Sequence, residues 1–296
     1  MEYVLLGSPM HINWNFTYKC NFNCIHCYSR TRTSISELPL QDKLKIAENI
    51  IRNDVFNVNL GGGEPLLSED CLPIIEKMSA QDVRVNLSTN GWKTSTEKVR
   101  ELKTAGLGGV AVSIDHIDET VHDSGRNMPG SLREVYKSVE KYVDAGIDVV
   151  ISTTITSRNF DCLEDILDKA VSIGAKGIDL KRLKTMGNAF DRPDLLLNEQ
   201  QTSLLYENVV KWRKSYPLSI NFVYGANRIP NVDAGCPCGK TSLAIMCNGD
   251  ISPCVYNVQV IGNAITDDLH EIWCHSEDLK YMREHFSCIG LRKEYT

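Results

Sequence analysis

The chain has 296 residues, of which 42% are hydrophobic and 24% charged, and its formal net charge is −6. This length allows one large α/β domain with a small appendage or two ordinary domains, and the composition is that of a folded globular protein. The acidic balance and the lack of a dense Lys/Arg cluster argue against nucleic acid as a partner. No basic leader and no run of 18 apolar residues occurs, so we expect no membrane span and a cytoplasmic location.

Short β-branched runs alternate with amphipathic helices from residue 11 to residue 182, which is the pattern of βα units in a parallel sheet. A further helix and an apolar strand precede a cysteine-rich segment. Such units form an open doubly wound sheet or an incomplete barrel, and in both the chemistry lies at the carboxyl ends of the strands. The six predicted strands are His11–Tyr18, Val55–Leu60, Val83–Ser88, Gly109–Ile114, Ile147–Thr154 and Gly177–Lys181.

Three of the eleven cysteines, Cys20, Cys24 and Cys27, lie in the loop after the first predicted strand. Cytosolic thiols are kept reduced, so ligation of a metal or cluster explains these cysteines better than disulfides. Three thiolates at this spacing can hold three irons of a 4Fe-4S cluster and leave the fourth iron without a protein ligand. A structural zinc site is the alternative, but it needs a fourth Cys or His, and His26 is poorly placed to provide one.

The Cys-x3-Cys-x2-Cys motif followed by Tyr28, together with the GGGEP segment after the second strand, resembles the radical S-adenosylmethionine (radical SAM) superfamily. The resemblance covers about residues 11 to 190 and implies an α/β fold with a partial (β/α)6 TIM-like barrel. It implies that S-adenosylmethionine binds the open iron, and that a reduced cluster cleaves it to a 5′-deoxyadenosyl radical that abstracts a substrate hydrogen. An external electron donor of the flavodoxin or ferredoxin type is then an expected partner.

The resemblance also implies roles for the residues that match the motif after the second strand. Gly62, Gly63 and Glu64 are expected to accept hydrogen bonds from the methionine ammonium of the cofactor. An ammonium offers three donors, and glycines let backbone carbonyls approach it closely. Tyr28 is expected to lie near the adenine.

Further cofactor contacts are implied after the fourth strand. Ser113 and Asp115 fall where the family places polar side chains near the ribose, and Arg126 closes an H-D-x-x-R segment whose arginine can pair with the cofactor carboxylate. Two residues depart from the family pattern. His116 replaces the usual small residue after the aspartate, and Asn127 replaces the usual glycine after the arginine.

The carboxyl-terminal segment carries a second cysteine pattern. Cys236 and Cys254, with Gly249 between them, resemble the start of the auxiliary-cluster module called SPASM, or its shorter twitch form. The sequence Asn248-Gly249-Asp250 predicts a hairpin between the two cysteines. A helix-like segment, Leu269–His285, precedes Cys288, the expected third ligand.

The cysteine count after Cys254 leaves enough thiols for one auxiliary cluster and not for two. Its fourth ligand is expected from Cys238, Cys247, a non-cysteine group or the substrate. Cys238 and Cys247 have a second candidate role as hydrogen-atom donors to a substrate radical, which an epimerase needs. The alternative is a module that kept the hairpin and lost its metal.

We predict a radical SAM core over residues 11–225 and a twitch-like iron-sulfur module over residues 226–296. The motif combination favours an enzyme that crosslinks or epimerises a ribosomally made peptide. Because the barrel begins near residue 11, recognition of a leader peptide is expected from a separate protein or from the barrel mouth. The alternatives are a dehydrogenase or epimerase of a sugar or aminocyclitol, and a non-catalytic iron-sulfur or zinc scaffold.

Overall fold

The computed structural model describes residues 6–32, 34–223, 236–257 and 259–285, so Cys288 lies outside the described residues. The strands are β1 (His11–Thr17), β2 (Asn57–Gly62), β3 (Arg84–Thr89), β4 (Gly109–Ser113), β5 (Asp148–Ile155), β6 (Gly177–Arg182), β7 (Ser219–Val223), β8 (Ser242–Ile245), β9 (Asp250–Ser252) and β10 (Gly262–Asn263). The helices are α1 (Leu40–Arg52), α2 (Cys71–Ser79), α3 (Thr96–Thr104), α4 (Glu119–Arg126), α5 (Ser131–Asp144), α6 (Leu163–Ser172), α7 (Glu199–Ser215), α8 (Leu269–His275) and α9 (Glu277–His285). None of these described helices is both long and apolar enough to cross a lipid bilayer.

The six strands predicted from the sequence are confirmed and pair in parallel in chain order, from β1 to β6. β7 adds a further parallel strand beside β6. The ends of the predicted strands differ from the observed ends by at most two residues, which is the usual uncertainty of such boundaries.

The helices pack against one face of this sheet. Alternate residues of the strands, such as Val58, Leu60, Ile151 and Leu180, join the helices in one apolar core. The intervening residues on the other face are mostly polar and half-buried. A doubly wound sheet is covered by helices on both faces, whereas a barrel keeps its helices outside, so this one-sided packing is that of a partial barrel.

The carboxyl-terminal segment continues the same sheet at the free edge of β1. β8 pairs in parallel with β1, from His11 with Ser242 to Trp14 with Ile245. The predicted hairpin is confirmed, because β8 and β9 are antiparallel around Gly249, whose φ of +88° favours glycine.

The predicted single helix over Leu269–His285 is wrong in one respect. The chain forms two helices, α8 and α9, because Ser276 between them adopts an extended conformation with ψ of 120°. The break lets Trp273 of α8 and Leu279 of α9 both enter the core.

Candidate active site

The loop after β1 holds three thiols, and each has a hydrogen-bonding partner. The Phe22 N–H donates to Cys20 Sγ over 3.4 Å, Arg126 Nη1 donates to Cys24 Sγ over 3.8 Å, and Cys27 Sγ and Ser29 Oγ are 3.2 Å apart. Donors of this kind stabilise negative charge on sulfur and tune the potential of a bound cluster.

The chemistry of this donor set, three thiols in one loop, fits a cluster. The described residues contain no group of three His, Cys, Asp or Glu side chains close enough to share one metal ion. A cubane is larger than an ion and binds each thiolate at its own corner, so its three thiols need not meet at one point. Burial, and to a lesser extent the neighbouring Glu64, Cys24 and Cys27, raises the pKa of Cys20 to about 11. A positively charged iron core would compensate the charge that this buried loop disfavours.

The glycine turn after β2 packs directly on the backbone of the cysteine loop. The Gly63 N–H donates to Thr17 O over 2.6 Å, and the Glu64 N–H donates to Lys19 O over 2.8 Å. A Cβ atom on Gly63 would overlap with the carbonyl of Lys19, and Gly62 has a φ of +101°. Glycine is therefore required here so that two backbone segments can meet.

The carboxylate of Glu64 is buried and bonded by the protein itself. It accepts hydrogen bonds from Thr89 Oγ1 at 2.9 Å, from the Asn90 N–H at 2.7 Å and from the Leu66 N–H at 3.2 Å. Burial raises the pKa of Glu64 to about 7 despite these donors. A carboxylate has about four acceptor sites, so three protein donors leave about one for a cofactor ammonium.

A buried charge cluster lies at the end of β4. Asp115 Oδ2 is 2.7 Å from Arg126 Nη2 and 3.5 Å from His26 Nε2, and Asp115 Oδ1 accepts from the Thr154 N–H over 2.9 Å. Burial opposes ionisation, but Arg126 and then His26 outweigh it and lower the pKa of Asp115. Arg126 therefore joins Asp115 to the thiol of Cys24, so two of the predicted cofactor residues contact each other.

The two departures from the family pattern have local explanations. Asn127 ends α4 in the left-handed conformation, with φ of 52°, where glycine is usual and asparagine is tolerated. His116 Nδ1 accepts a hydrogen bond from the Asp118 N–H over 2.9 Å and so shapes the loop before α4. Ser113 is the half-buried last residue of β4.

Two asparagines that sequence reasoning missed hold the cysteine loop in place. Asn90 Nδ2 donates to Asn21 Oδ1 over 2.8 Å, and its backbone bonds Glu64. Asn188 donates to Cys24 O over 2.8 Å and, through its backbone, to Cys27 O over 2.9 Å. Asn90 directly follows β3, where a polar residue also describes an ordinary turn, and Asn188 lies in the longer loop after β6 without any such signal.

Tyr28 lies between the two cysteine-rich regions. Its hydroxyl donates to Asn15 Oδ1 over 3.0 Å, and its ring meets the ring of Tyr256 edge-on at 4.9 Å. The Tyr256 N–H donates to Cys254 Sγ over 3.3 Å. The residue expected near the adenine thus also contacts the segment that follows Cys254.

In the second cysteine region, Cys238 lies beside both Cys236 and Cys254. Interaction with the Cys238 thiol lowers the pKa of Cys236 to about 6 and also lowers the pKa of Cys254, while the pKa of Cys238 itself is raised. Cys247 is placed elsewhere, with its sulfur 4.0 Å from Ile35 O in a buried position. Of the two candidate fourth ligands, Cys238 is therefore the one beside the predicted pair.

The chain matches two protein families over most of its length. Residues 14–170 match the radical SAM superfamily, and residues 236–293 match SPASM, an iron-sulfur cluster-binding domain. The chain belongs to the radical SAM superfamily. It is a radical SAM enzyme whose cofactors are a 4Fe-4S cluster and S-adenosylmethionine, and it carries an iron-sulfur module of the SPASM type.

Similar proteins include the mycofactocin maturase MftC of Mycolicibacterium smegmatis, which is 30% identical over 94% of this chain and 74% of the relative. The AdoMet-dependent heme synthase of Methanosarcina barkeri is 24% identical over 95% of this chain and 86% of the relative. Streptococcus suis SuiB, solved with precursor peptide SuiA, has a TM-score of 0.74 and 16% identity. The match covers 91% of this chain and 65% of SuiB, and it shows the shared partial-barrel fold.

Proposed function

We propose that this radical SAM enzyme modifies a ribosomally made peptide, by crosslinking or by epimerisation. When bound, the cluster and S-adenosylmethionine supply a 5′-deoxyadenosyl radical for hydrogen abstraction. The observation that carries the proposal is the meeting of the three-thiol loop, the glycine turn and the Asp115–Arg126 pair at the carboxyl ends of β1, β2 and β4. The substrate class rests on similarity to a maturase and to a fold neighbour solved with a precursor peptide.

The chain's own residues then have separate tasks. Cys20, Cys24 and Cys27 hold the cluster, and donors to their sulfurs stabilise thiolate charge. Arg126, fixed by Asp115, orients the cysteine loop from one side. The remaining proposed cofactor contacts are Tyr28, Gly62, Gly63, Glu64 and Ser113.

For the carboxyl-terminal module we propose one auxiliary cluster bound by Cys236, Cys238, Cys254 and Cys288. The contacts among the first three thiols support this ligand set. We assign the core to residues 11–225 and the module to residues 226–296, joined by the pairing of β8 with β1. Cys238 or Cys247 as a hydrogen-atom donor stays a hypothesis.

Two kinds of partner are expected. A flavodoxin or ferredoxin would supply the electron that reduces the cluster, and a separate protein or the barrel mouth would bind the leader of the precursor peptide. The cytoplasm suits an enzyme whose thiols must stay reduced. A short open reading frame for a precursor peptide beside the gene would favour this function, whereas neighbouring glycosyltransferase genes would favour sugar chemistry.

Anaerobic reconstitution tests the proposal. The enzyme with reductant and S-adenosylmethionine should form 5′-deoxyadenosine, and two cubane clusters should give about eight irons per chain. Incubation with a neighbouring precursor peptide should then remove two hydrogens on crosslinking, or add solvent deuterium on epimerisation. No 5′-deoxyadenosine from fully loaded protein would contradict the enzyme, and turnover of a sugar in place of any peptide would contradict the substrate class.

A further inference from the structure

The face of the barrel opposite the helices is lined by amide and hydroxyl side chains. Asparagines alternate with core residues along the first three strands, at positions 13, 15, 57, 59 and 86. Asn57 Oδ1 accepts from Asn86 Nδ2 over 3.1 Å and lies 3.2 Å from His11 Nδ1, and Asn59 Oδ1 accepts from Ser88 Oγ over 3.1 Å. Neutral donors and acceptors of this kind suit the backbone of a peptide.

Lys181 is a half-buried cation on this same face. It alternates with the core residue Leu180, and its Nζ donates to Ser152 Oγ over 2.9 Å. Among the described residues, the two lysine or arginine side chains that are fully buried are paired with carboxylates, Lys43 with Asp70 and Arg126 with Asp115. Within the described part of the chain, Lys181 has no carboxylate at ion-pair distance.

Two acidic groups in this part of the barrel have other partners. Asp179, two residues before Lys181 on the same face, accepts a hydrogen bond from Asn221 Nδ2 over 3.2 Å. Asp115 is paired with Arg126 and His26. An anion stabilises the charge of a partly desolvated ammonium more than a neutral group does. A ligand could therefore supply the counterion that the described residues do not.

The position of Lys181 relates it to the proposed cofactor site. Ser152, which holds the ammonium, is the direct parallel-strand partner of Ser113, the residue proposed near the ribose. Neighbouring strands are about 4.8 Å apart, so the ammonium lies about one strand from that residue. An anion bound to Lys181 would therefore lie about one strand from Ser113, on the face that carries the asparagines.

We propose that Lys181 binds a carboxylate of the substrate next to the residue that is modified, while the asparagines bind neutral groups of the same peptide. This inference rests on the proposed function and names the group that its substrate must carry. The carboxylate is either the C-terminus of the peptide or an Asp or Glu side chain, and both would pair with the ammonium in the same way.

The test uses reconstituted enzyme with S-adenosylmethionine and three small probes: N-acetylglycylglycine, its amide, and N-acetylaspartylglycinamide. Trace acetylation with acetic anhydride, read by mass spectrometry, measures the reactivity of Lys181 against that of exposed Lys137. At ten times its Kd, a probe that binds Lys181 should slow its acetylation about tenfold and leave Lys137 unchanged. Protection by the first probe identifies a C-terminal carboxylate, and protection by the third identifies a side chain.

Variants complete the test. Lys181→Gln should weaken binding of the protecting probe about tenfold, Lys181→Arg should retain most of it, and Lys137→Gln should retain all of it. Equal protection by the amide, no protection by any probe, or full protection by S-adenosylmethionine alone would overturn the carboxylate site. Formation of 5′-deoxyadenosine in the same wild-type preparation separates these outcomes from failure of the proposed function itself.

Discussion

The two cysteine regions of this enzyme are built in opposite ways. In the loop after β1, each thiol is bonded by a different partner, among them Phe22 N–H and Arg126, and no thiol depends on another. In the second region, Cys238 lies beside both neighbouring thiols. The first site is therefore held by contacts with other parts of the barrel, such as Arg126 of α4. The second consists of thiols that interact with one another, and a bound metal would replace those interactions.

The largest expected effect is at a ligand of the first region. Cys24→Ala removes one corner of the cluster and an acceptor for Arg126, so 5′-deoxyadenosine formation should fall below detection. Iron should drop from about eight to about four per chain. Cys162→Ala, at a thiol that donates to the nearby Asn159 O and lies away from both cysteine regions in the sequence, is the matched control and should keep both values. Formation of 5′-deoxyadenosine by Cys24→Ala would show that the cluster does not need this ligand.

Gly63 lies where the glycine turn packs on the cysteine loop of the first region. Gly63→Ala places a methyl group against the Lys19 carbonyl and should separate the glycine turn from the cysteine loop, costing a few kcal/mol of unfolding free energy. Binding of S-adenosylmethionine, measured by equilibrium dialysis, should weaken by at least about tenfold. Gly125→Ala, whose added methyl group meets nothing within 4 Å, should leave stability equal or higher. Equal behaviour of the two variants would refute the packing argument.

A smaller effect is expected in the second region. Cys238→Ala should reduce iron from about eight to about four per chain, because the auxiliary cluster loses a ligand. Cys247→Ala should leave iron unchanged, since that thiol faces Ile35. The same two variants test the hydrogen-donor hypothesis through solvent deuterium in the product. If Cys247→Ala loses iron and Cys238→Ala keeps it, the ligand assignment is reversed.

The smallest effect concerns pH and the buried Glu64. Its pKa is raised to about 7 by burial, above the ordinary value of 4.5 in the unfolded chain, so the folded state favours the protonated form. The stability contribution is full below pH 4.5 and is lost as the pH rises through 7, by an amount on the order of 3 kcal/mol. Chemical denaturation of the metal-free chain from pH 5 to 8 should show this slope, and Glu64→Gln should flatten it. A slope that survives the substitution belongs to other groups.

The sequence was enough to predict the parallel strands and the first cysteine loop. β-branched runs predicted the strands, and three cysteines within eight residues favoured a cluster over a zinc site in a chain whose thiols are expected to be reduced. The carboxyl-terminal helix was predicted without its break because the apolar spacing continues across Ser276. The order of elements could not choose between barrel and open sheet, because both are built from the same βα units with right-handed crossovers.

The site's internal contacts could not be predicted because they join distant parts of the chain. Glu64 bonds Thr89 and Asn90, and nothing in the GGGEP segment shows that its carboxylate is already occupied. Cys238 and Cys247 are equivalent in the sequence and differ only in what each thiol faces. The sequence shows asparagine alternating with apolar residues in β1 and β2. From the sequence alone, such polar residues predict a strand face that is exposed to solvent, whereas in the structure they lie on the inner face of the barrel.

The pairing of β8 with β1 affects the order in which the nascent chain folds. The strand that leads into the first cysteine loop gains its second neighbour only when the ribosome has passed residue 245, and Asn15 and Met246 meet across 231 residues of chain. Contacts so far apart form late and slowly. Until then the nascent polypeptide presents an open strand edge, which is prone to aggregation. Delivery of iron and sulfide is therefore best timed after translation is nearly finished.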